Sequence, residues 1–271
     1  MIANLSLLMI TYNGEEILEK SLQSCKDLVD EIVVVDNYST DKTGDIAKKY
    51  GAKIYFHREY DLGKQRAYGL KKVSGEWVLV LDSDEMISKG LQREIVSLFH
   101  GFTDKPPLKS PPYKGGEKGE VAYLIPFQNH FLGRLINYGG ENYKMLRLFK
   151  KNSIEIKSAL VHESFKLKRG ISGVLKNKIY HYSYRSLWQT FRKFTDYSVR
   201  EARQKVRKGE KTSLKKIILY PLHMFWARFI KDKGYKDGIF RIPLDLGFAY
   251  MEFLTYVLIL FYSWSKLKIK N

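Results

Sequence analysis

A single cysteine, Cys25, stands in a chain of 271 residues. An internal disulfide is therefore excluded, and so is a cysteine-based zinc site; a reducing, cytosolic setting is the simplest expectation. Proline is scarce as well, with 7 residues, and four of them crowd into residues 103–119, TDKPPLKSPPYKGGEKG. That stretch has the composition of neither helix nor strand and reads as a mobile insertion. The opening residues MIANLSLLMITYNG lack a positive n-region, and their apolar run is only strand-length, so no signal peptide is expected. One apolar run, residues 246–264, approaches the roughly 20 residues needed to span a bilayer. Glu252 and several Tyr and Trp residues interrupt it and argue against a span, leaving membrane insertion and packing on the rest of the protein both open.

Acidic residues are few in the last part of the chain. Residues 164–271 hold 24 Lys and Arg against 7 Asp and Glu, a net of +17 out of +18 for the whole protein, which leaves +1 for residues 1–163. A near-neutral globular part is thus followed by a strongly basic one rich in Tyr, Phe and Trp. Anionic membrane surfaces, phosphorylated lipids or nucleic acid would suit the second part; a solvated basic face is the plain alternative.

What is present is a regular alternation. LSLLMITYN (5–13), EIVVVDN (31–37), AKIYF (52–56) and EWVLVLD (76–82) read as strands. Helical patterns follow them at 15–25, 39–51, 63–75 and 88–100. Such alternation predicts a mostly parallel sheet flanked by helices. Strands are expected again at 120–127, 143–151 and 173–184, and helices at 186–208, 213–233 and 237–264, with breaks near Gly209, Pro221, Gly234 and Pro243. The domain reading is a catalytic unit over 1–185 and a basic, aromatic-rich helical extension over 186–271.

Ligands of open α/β sheets bind beyond the carboxyl ends of the strands. Here the first strand ends in Thr11-Tyr12-Asn13, the second in Asp36-Asn37, and the fourth in Asp82-Ser83-Asp84-Glu85. Three carboxylates at one strand end repel one another unless something positive lies among them. A hard divalent cation is the expected answer, since Mg²⁺ and Mn²⁺ take carboxylate and phosphate oxygens. A helix-capping Asp82 with a solvated Asp84 is the competing reading.

The blocks ITYNGEEILEKSLQSC, DEIVVVDNYSTDKTGDIAKKYGAKI and GKQRAYGLKKVSGEWVLVLDSDE together resemble the nucleotide-binding half of family-2 glycosyltransferases with the GT-A fold. Within that family the text is most similar to lipopolysaccharide-core β-glucosyltransferases, and LRLFKK, VHE, HYSY and YP…GYKDGI extend the likeness along most of the chain. The resemblance implies a Rossmann-like GT-A sheet and a set of roles. Thr11, Tyr12 and Asn13 line the nucleoside pocket, and Asp36 contacts uracil or ribose. Asp82 lies near ribose and metal, Asp84 binds Mg²⁺ or Mn²⁺, and His181 completes the metal site. Gly139 and Gly140 belong to a loop near donor sugar and acceptor. Glu163 is the catalytic base, with His162 where the family's motif carries an acid. The pair Arg-Asn common in the family's third helix is absent, since Arg66 is followed by Ala67-Tyr68, which leaves that helix without an assigned role.

The residue types agree with the chemistry. Glycosyl transfer from a nucleotide sugar needs a cation on the departing diphosphate and one carboxylate to take the acceptor's proton. A single base without a second nucleophile suits inversion. The expected partners are a UDP-sugar donor, with glucose favoured, a lipid-linked saccharide acceptor and an anionic membrane surface, at the cytoplasmic face of the plasma membrane. No nucleic acid is expected. A nucleic-acid-binding protein using the basic tail would leave the acidic strand ends without a purpose. A nucleotidyltransferase would carry a glycine-rich basic loop where TYNGEE stands. A catalytically inactive GT-A binding domain is the remaining alternative.

Overall fold

The computed structural model describes residues 5–100, 120–157 and 164–265. Its contacts form two compact units, Met1–Phe127 with Tyr143–His181, and Gln128–Asn142 with Tyr182–Asn271. The boundary expected at 185/186 thus differs from these units: the second starts at Tyr182 and also takes Gln128–Asn142. The reason is chemical, because Asn129, Phe131, Ile136 and Glu141 find their packing or bonding partners among residues of the second unit. The insertion 103–119 lies outside the described residues.

In the first unit the chain runs β1 (Leu5–Thr11), α1 (Leu18–Cys25), β2 (Glu31–Asp36), α2 (Thr43–Lys49), β3 (Lys53–Phe56), α3 (Leu62–Leu70), β4 (Trp77–Asp82), β5 (Glu85–Ile87) and α4 (Lys89–His100). Strands β3, β2, β1 and β4 lie side by side and parallel. β3, at the sheet edge, is only partly buried, whereas β1, β2 and β4 are continuous apolar runs, buried almost throughout, and such runs need cover on both faces. Alternate residues of β1 provide it. Leu5, Leu7 and Met9 pack with Leu18 and Leu22 of α1, Ala47 of α2 and Leu91 and Ile95 of α4. Leu8 and Ile10 join Leu62, Tyr68 and Leu70 of α3.

Beyond β4 the sheet turns mixed. β6 (Glu120–Phe131), β7 (Arg134–Leu135) and β8 (Lys144–Lys150) follow, with β8 antiparallel to both β4 and β6. β9 (Ile154–Lys157) and β10 (Ser164–Leu167) form an antiparallel ribbon whose Ile156 and Phe165 pack on the α3 face of the sheet. The single strand expected over 173–184 is two, β11 (Ile171–Val174) and β12 (Ile179–Tyr184). They take different neighbours: β11 runs parallel to β6, and β12 pairs antiparallel with β5.

The second unit holds α5 (Leu187–Arg207), α6 (Leu214–Trp226) and α7 (Ile242–Ser265). Ser186 and Ser213 cap α5 and α6 by accepting from the backbone N–H three residues on. Pro221 lies inside α6 rather than breaking it, at the cost of one backbone hydrogen bond. The helix runs on as a π-helical turn over Ala227–Lys231. Ala202 and Val206 of α5, Ile217 of α6 and Tyr256 and Ile259 of α7 make a small core.

Glu31, at the start of β2, ties three strands of the first unit's sheet. It accepts from Ser6 Oγ at 2.6 Å, Ser74 N–H at 2.7 Å and Lys53 Nζ at 2.8 Å. Burial acts to raise its pKa, and these hydrogen bonds outweigh it and hold the carboxyl at about 2. A depressed acid stabilises the fold above its ordinary titration range and loses that contribution as pH falls towards the folded value. Glu31→Gln is therefore expected to cost about 2 kcal/mol at pH 7. Urea unfolding of both proteins at pH 7 and pH 3 should show the gap closing at the lower pH.

Candidate active site

Register places three strand ends together. Thr11 pairs with Asp36 across β1 and β2, and Ile10 pairs with Asp82 across β1 and β4. The carboxyl ends of three adjacent parallel strands therefore form one edge, where the sequence pattern expects a ligand.

The loops after β1 and β2 are stitched to each other. Asn13 N–H donates to Ser39 Oγ, and Asn13 Oδ1 accepts from Thr40 N–H, both at 2.8 Å. Asp36 is buried, and its Oδ1 accepts from the N–H and the hydroxyl of Ser39. Asn13 and Tyr38 both hold left-handed backbone, with φ of 48° and 61°. That conformation costs energy in residues other than glycine and gathers at functional sites. Thr11 is buried, while Tyr12 stands exposed at the edge. Asp36 thus builds the loop, where the resemblance implies a contact with the nucleoside.

The carboxylates at the end of β4 are drawn to two arginines and a histidine. Asp82 Oδ1 accepts from Arg66 Nη2 at 2.6 Å, and its Oδ2 lies 3.5 Å from Arg147 Nη2. Arg147 Nη2 also binds Glu85 Oε1 at 2.6 Å, and Glu85 Oε2 accepts the Asp82 backbone N–H at 3.0 Å. Arg66, Arg147 and Glu85 are 2%, 3% and 1% exposed. This is a buried ionic cluster, not a solvated acidic turn. Burial raises the Asp82 carboxyl, and the attraction of Arg66 and Arg147 overcomes it, so the group titrates below its ordinary value. Burial lifts Glu85 to about 7 against the pull of Arg147, with Asp82 adding repulsion.

Two features of the chain build the cluster. Gly69 lets α3 approach the sheet closely: a Cβ there would sit 2.4 Å from Leu8 Cδ1 and 2.7 Å from Val35 Cγ2. One turn earlier on the same helix is Arg66, which thereby reaches Asp82. Arg147 sits on β8 between Leu146 and Leu148 and lies 5.3 Å from the ring centre of Phe127. Sequence reading left Arg66 without a role and passed over Arg147. The signal is the charge itself, since an arginine between leucines in a strand needs an acidic partner once that face is buried.

Asp84 faces elsewhere. β5 pairs with β12 so that Glu85 lies opposite His181. His181 Nε2 is 3.5 Å from Asp84 Oδ1, and its Nδ1 is 3.5 Å from the Tyr143 hydroxyl. A carboxylate oxygen suits Mg²⁺ and Mn²⁺, and an imidazole nitrogen is a common ligand of first-row divalent metals. Metal–ligand distances of about 2.1 Å let one ion bridge atoms up to about 4 Å apart, so this pair fits a divalent cation. Among the described residues no three His, Cys, Asp or Glu gather around one point. Asp82, which the resemblance places near ribose and metal, is held by two arginines. Glu163 and His162 lie outside the described residues. Gly139 and Gly140 belong to the second unit, with φ of 66° and 80°. Cys25 is buried within the first unit, and burial pushes its thiol up to about 12, which removes it as a nucleophile.

Residues 6–152 match the family described as Glycosyl transferase family 2. The chain belongs to that family. As a family-2 glycosyltransferase it is an enzyme. An uncharacterised glycosyltransferase of Rickettsia typhi is 26% identical over 258 residues, covering 92% of this chain and 84% of that protein. The lipopolysaccharide core biosynthesis glycosyltransferase LpsC of Rhizobium meliloti is 25% identical over 260 residues, covering 93% and 90%. Among solved structures, S. aureus TarS 1–349 in complex with UDP-GlcNAc is similar over 97% of this chain and 92% of that one, with 17% identity and a TM-score of 0.49.

Removing Arg147 leaves Glu85 buried beside Asp82 without its cation. Arg147→Met is expected to destabilise this glycosyltransferase by about 3–5 kcal/mol at pH 8. The loss should be smaller at pH 5. An acid whose folded pKa is raised keeps a proton that the unfolded chain releases, so stability falls as pH rises through that window. Arg147→Met combined with Glu85→Gln should regain most of the loss in urea unfolding.

Proposed function

We propose that this glycosyltransferase moves a hexose, with glucose favoured, from a UDP-sugar to a hydroxyl of a lipopolysaccharide-core or related lipid-linked saccharide, with inversion and with Mg²⁺ or Mn²⁺. The observation that carries the reading is the pairing of Asp84 with His181 at the carboxyl edge of the parallel strands, beside a loop built by Asn13 and Asp36. Its acceptor class is supported by the likeness to LpsC, whose name assigns that protein to lipopolysaccharide core biosynthesis.

In this reading the edge formed by Thr11, Tyr12, Asn13 and Asp36 receives the nucleoside, with Tyr12 exposed there as an aromatic face. Asp84 and His181 hold the cation, two protein ligands being enough when donor phosphate oxygens and water complete the shell. When bound, the cation neutralises the negative charge that develops on the departing diphosphate. Asp82 acts through its arginines. Its fixed negative charge holds Arg66 and Arg147 in place, and the backbone bond to Glu85 sets the direction of the turn that presents Asp84. Glu163 takes the proton of the acceptor hydroxyl as that oxygen bonds to the anomeric carbon. The bond from that carbon to the phosphate oxygen breaks, and UDP leaves with the electron pair. One displacement at one centre inverts the configuration.

Titration calorimetry with UDP in the presence of Mn²⁺, then of EDTA, tests the donor and metal assignments. Micromolar binding that EDTA abolishes is expected, weakened at least ten-fold by Asp84→Asn and by His181→Ala. Metal-independent binding, or none, would sink the metal assignment. Glu163→Gln is expected to bind UDP like the parent and to lose turnover by about a hundred-fold or more. Wild-type turnover by that variant would remove Glu163 as the base.

A further inference from the structure

The second unit carries an apolar surface that the transfer reaction does not use. On α6 the residues Leu214, Ile218, Leu222 and Trp226 recur every fourth position and are 73%, 60%, 63% and 48% exposed. Ile230, in the π-helical turn that prolongs the helix, continues the line, and Leu219 widens it. Residues four apart lie on one helical face. The helix has already met its packing need on another side, where Ile217 is buried against Tyr256 and Ile259 of α7. On α7 a second exposed line runs through Leu246, Phe253 and Leu260 at seven-residue spacing, with Phe261 beside it.

Charge is distributed around this surface rather than through it. No carboxylate occurs between Leu214 and Lys231. Exposed Arg207, Lys208, Lys211 and Lys215 stand at the amino end of α6, and exposed Lys231, Lys233 and Lys236 at the carboxyl end. The acids in these two flanking segments are Glu210, half-buried beside Lys216, exposed Asp232, and Asp237, which is paired with Arg241. A water-soluble helix keeps charge on its outer face. This one shows water a line of aliphatic and indole side chains with cations at both ends.

We infer that the outer face of α6, with the exposed line of α7, is a docking surface for an anionic lipid bilayer, on which α6 lies in the plane of the headgroups. The apolar line enters the boundary between headgroups and acyl chains, Trp226 sits at that depth, and the flanking lysines meet lipid phosphates. Charge complementarity selects this occupant. A nucleic acid would require cations interleaved along the face, and a second copy of the chain would bring the same flanking cations against themselves unless it docked in opposite register. The inference is independent of the donor and metal assignments.

The test uses the full chain and extruded vesicles, either pure phosphatidylcholine or phosphatidylcholine with one-third phosphatidylglycerol, in a sedimentation assay. The protein is expected to partition onto the anionic vesicles at least ten-fold more strongly than onto neutral ones, and 0.5 M salt should weaken that several-fold. Ile218→Asp with Leu222→Asp should lose at least ten-fold in partitioning, and the milder Ile218→Ser with Leu222→Ser should lose less. Both pairs are exposed, so circular dichroism and UDP binding should match the parent. Lys211→Glu with Lys215→Glu should remove part of the salt-sensitive component. Absence of vesicle binding would overturn the inference, as would parental binding by the Ile218/Leu222 variants. So would a dimer in light scattering that the same variants dissociate while vesicles bind nothing, or a ten-fold preference for RNA over anionic vesicles.

Discussion

Three carboxylates follow one another at the end of β4 within four residues, and the site depends on how their repulsion is relieved. Two buried guanidinium groups do this. Arg66 reaches Asp82 from α3, and Arg147 reaches both Asp82 and Glu85 from β8. With Glu85 ionised, three negative charges and two positive ones leave the cluster one charge short of neutrality. The third carboxylate, Asp84, lies across from His181. A divalent cation placed there would find the neighbouring acids already compensated. Under the proposed metal assignment, one carboxylate rather than three would face the cation.

That arrangement links packing to function. The approach of α3 to the sheet depends on Gly69, and the approach delivers Arg66. The position of Arg147 depends on the antiparallel pairing of β8 with β4. Both arginines lie in the interior, where an unpaired ion is expensive. Each therefore fixes its own element as firmly as it fixes the carboxylates. The same logic recurs within the second unit. Arg241 is fully buried and donates to Asp245, to Asp237 and to the carbonyls of Tyr138 and Gly139. Arg228 joins Glu141 to Asp245. Gly139 is required because a Cβ would strike the Arg241 guanidinium and because its φ is positive. Buried cations thus set the loop 136–142 from inside its own unit.

Much of the fold was legible because it rests on local pattern. The runs expected at 5–13, 31–37, 52–56 and 76–82 are β1 to β4, and the helices between them fall within a few residues of their expected bounds. The length of α5 was likewise plain from its periodicity. Elements stabilised only by distant partners were not. β5 has three residues and exists through its pairing with β12. The division of 171–184 into two strands follows from two different neighbours. The division at 127/128, 142/143 and 181/182 follows contacts between segments remote in sequence, and no composition shift marks those places.

By itself the sequence determined that Asp36, Asp82 and Asp84 would stand at strand ends, because hydrophobic runs and their polar stops are local properties. It also carried the family, through blocks of text that span most of the first hundred residues. Only the tertiary structure decided what each acid does. Asp36 turns inward to Ser39, Asp82 bonds Arg66 16 positions earlier and shares Arg147 with Glu85 across 62 or more positions, and Asp84 meets a histidine 97 residues later. The physical reason is that a carboxylate's role is set by the nearest opposite charge and by its distance from water. Both are properties of the folded chain, since residues remote in sequence supply them.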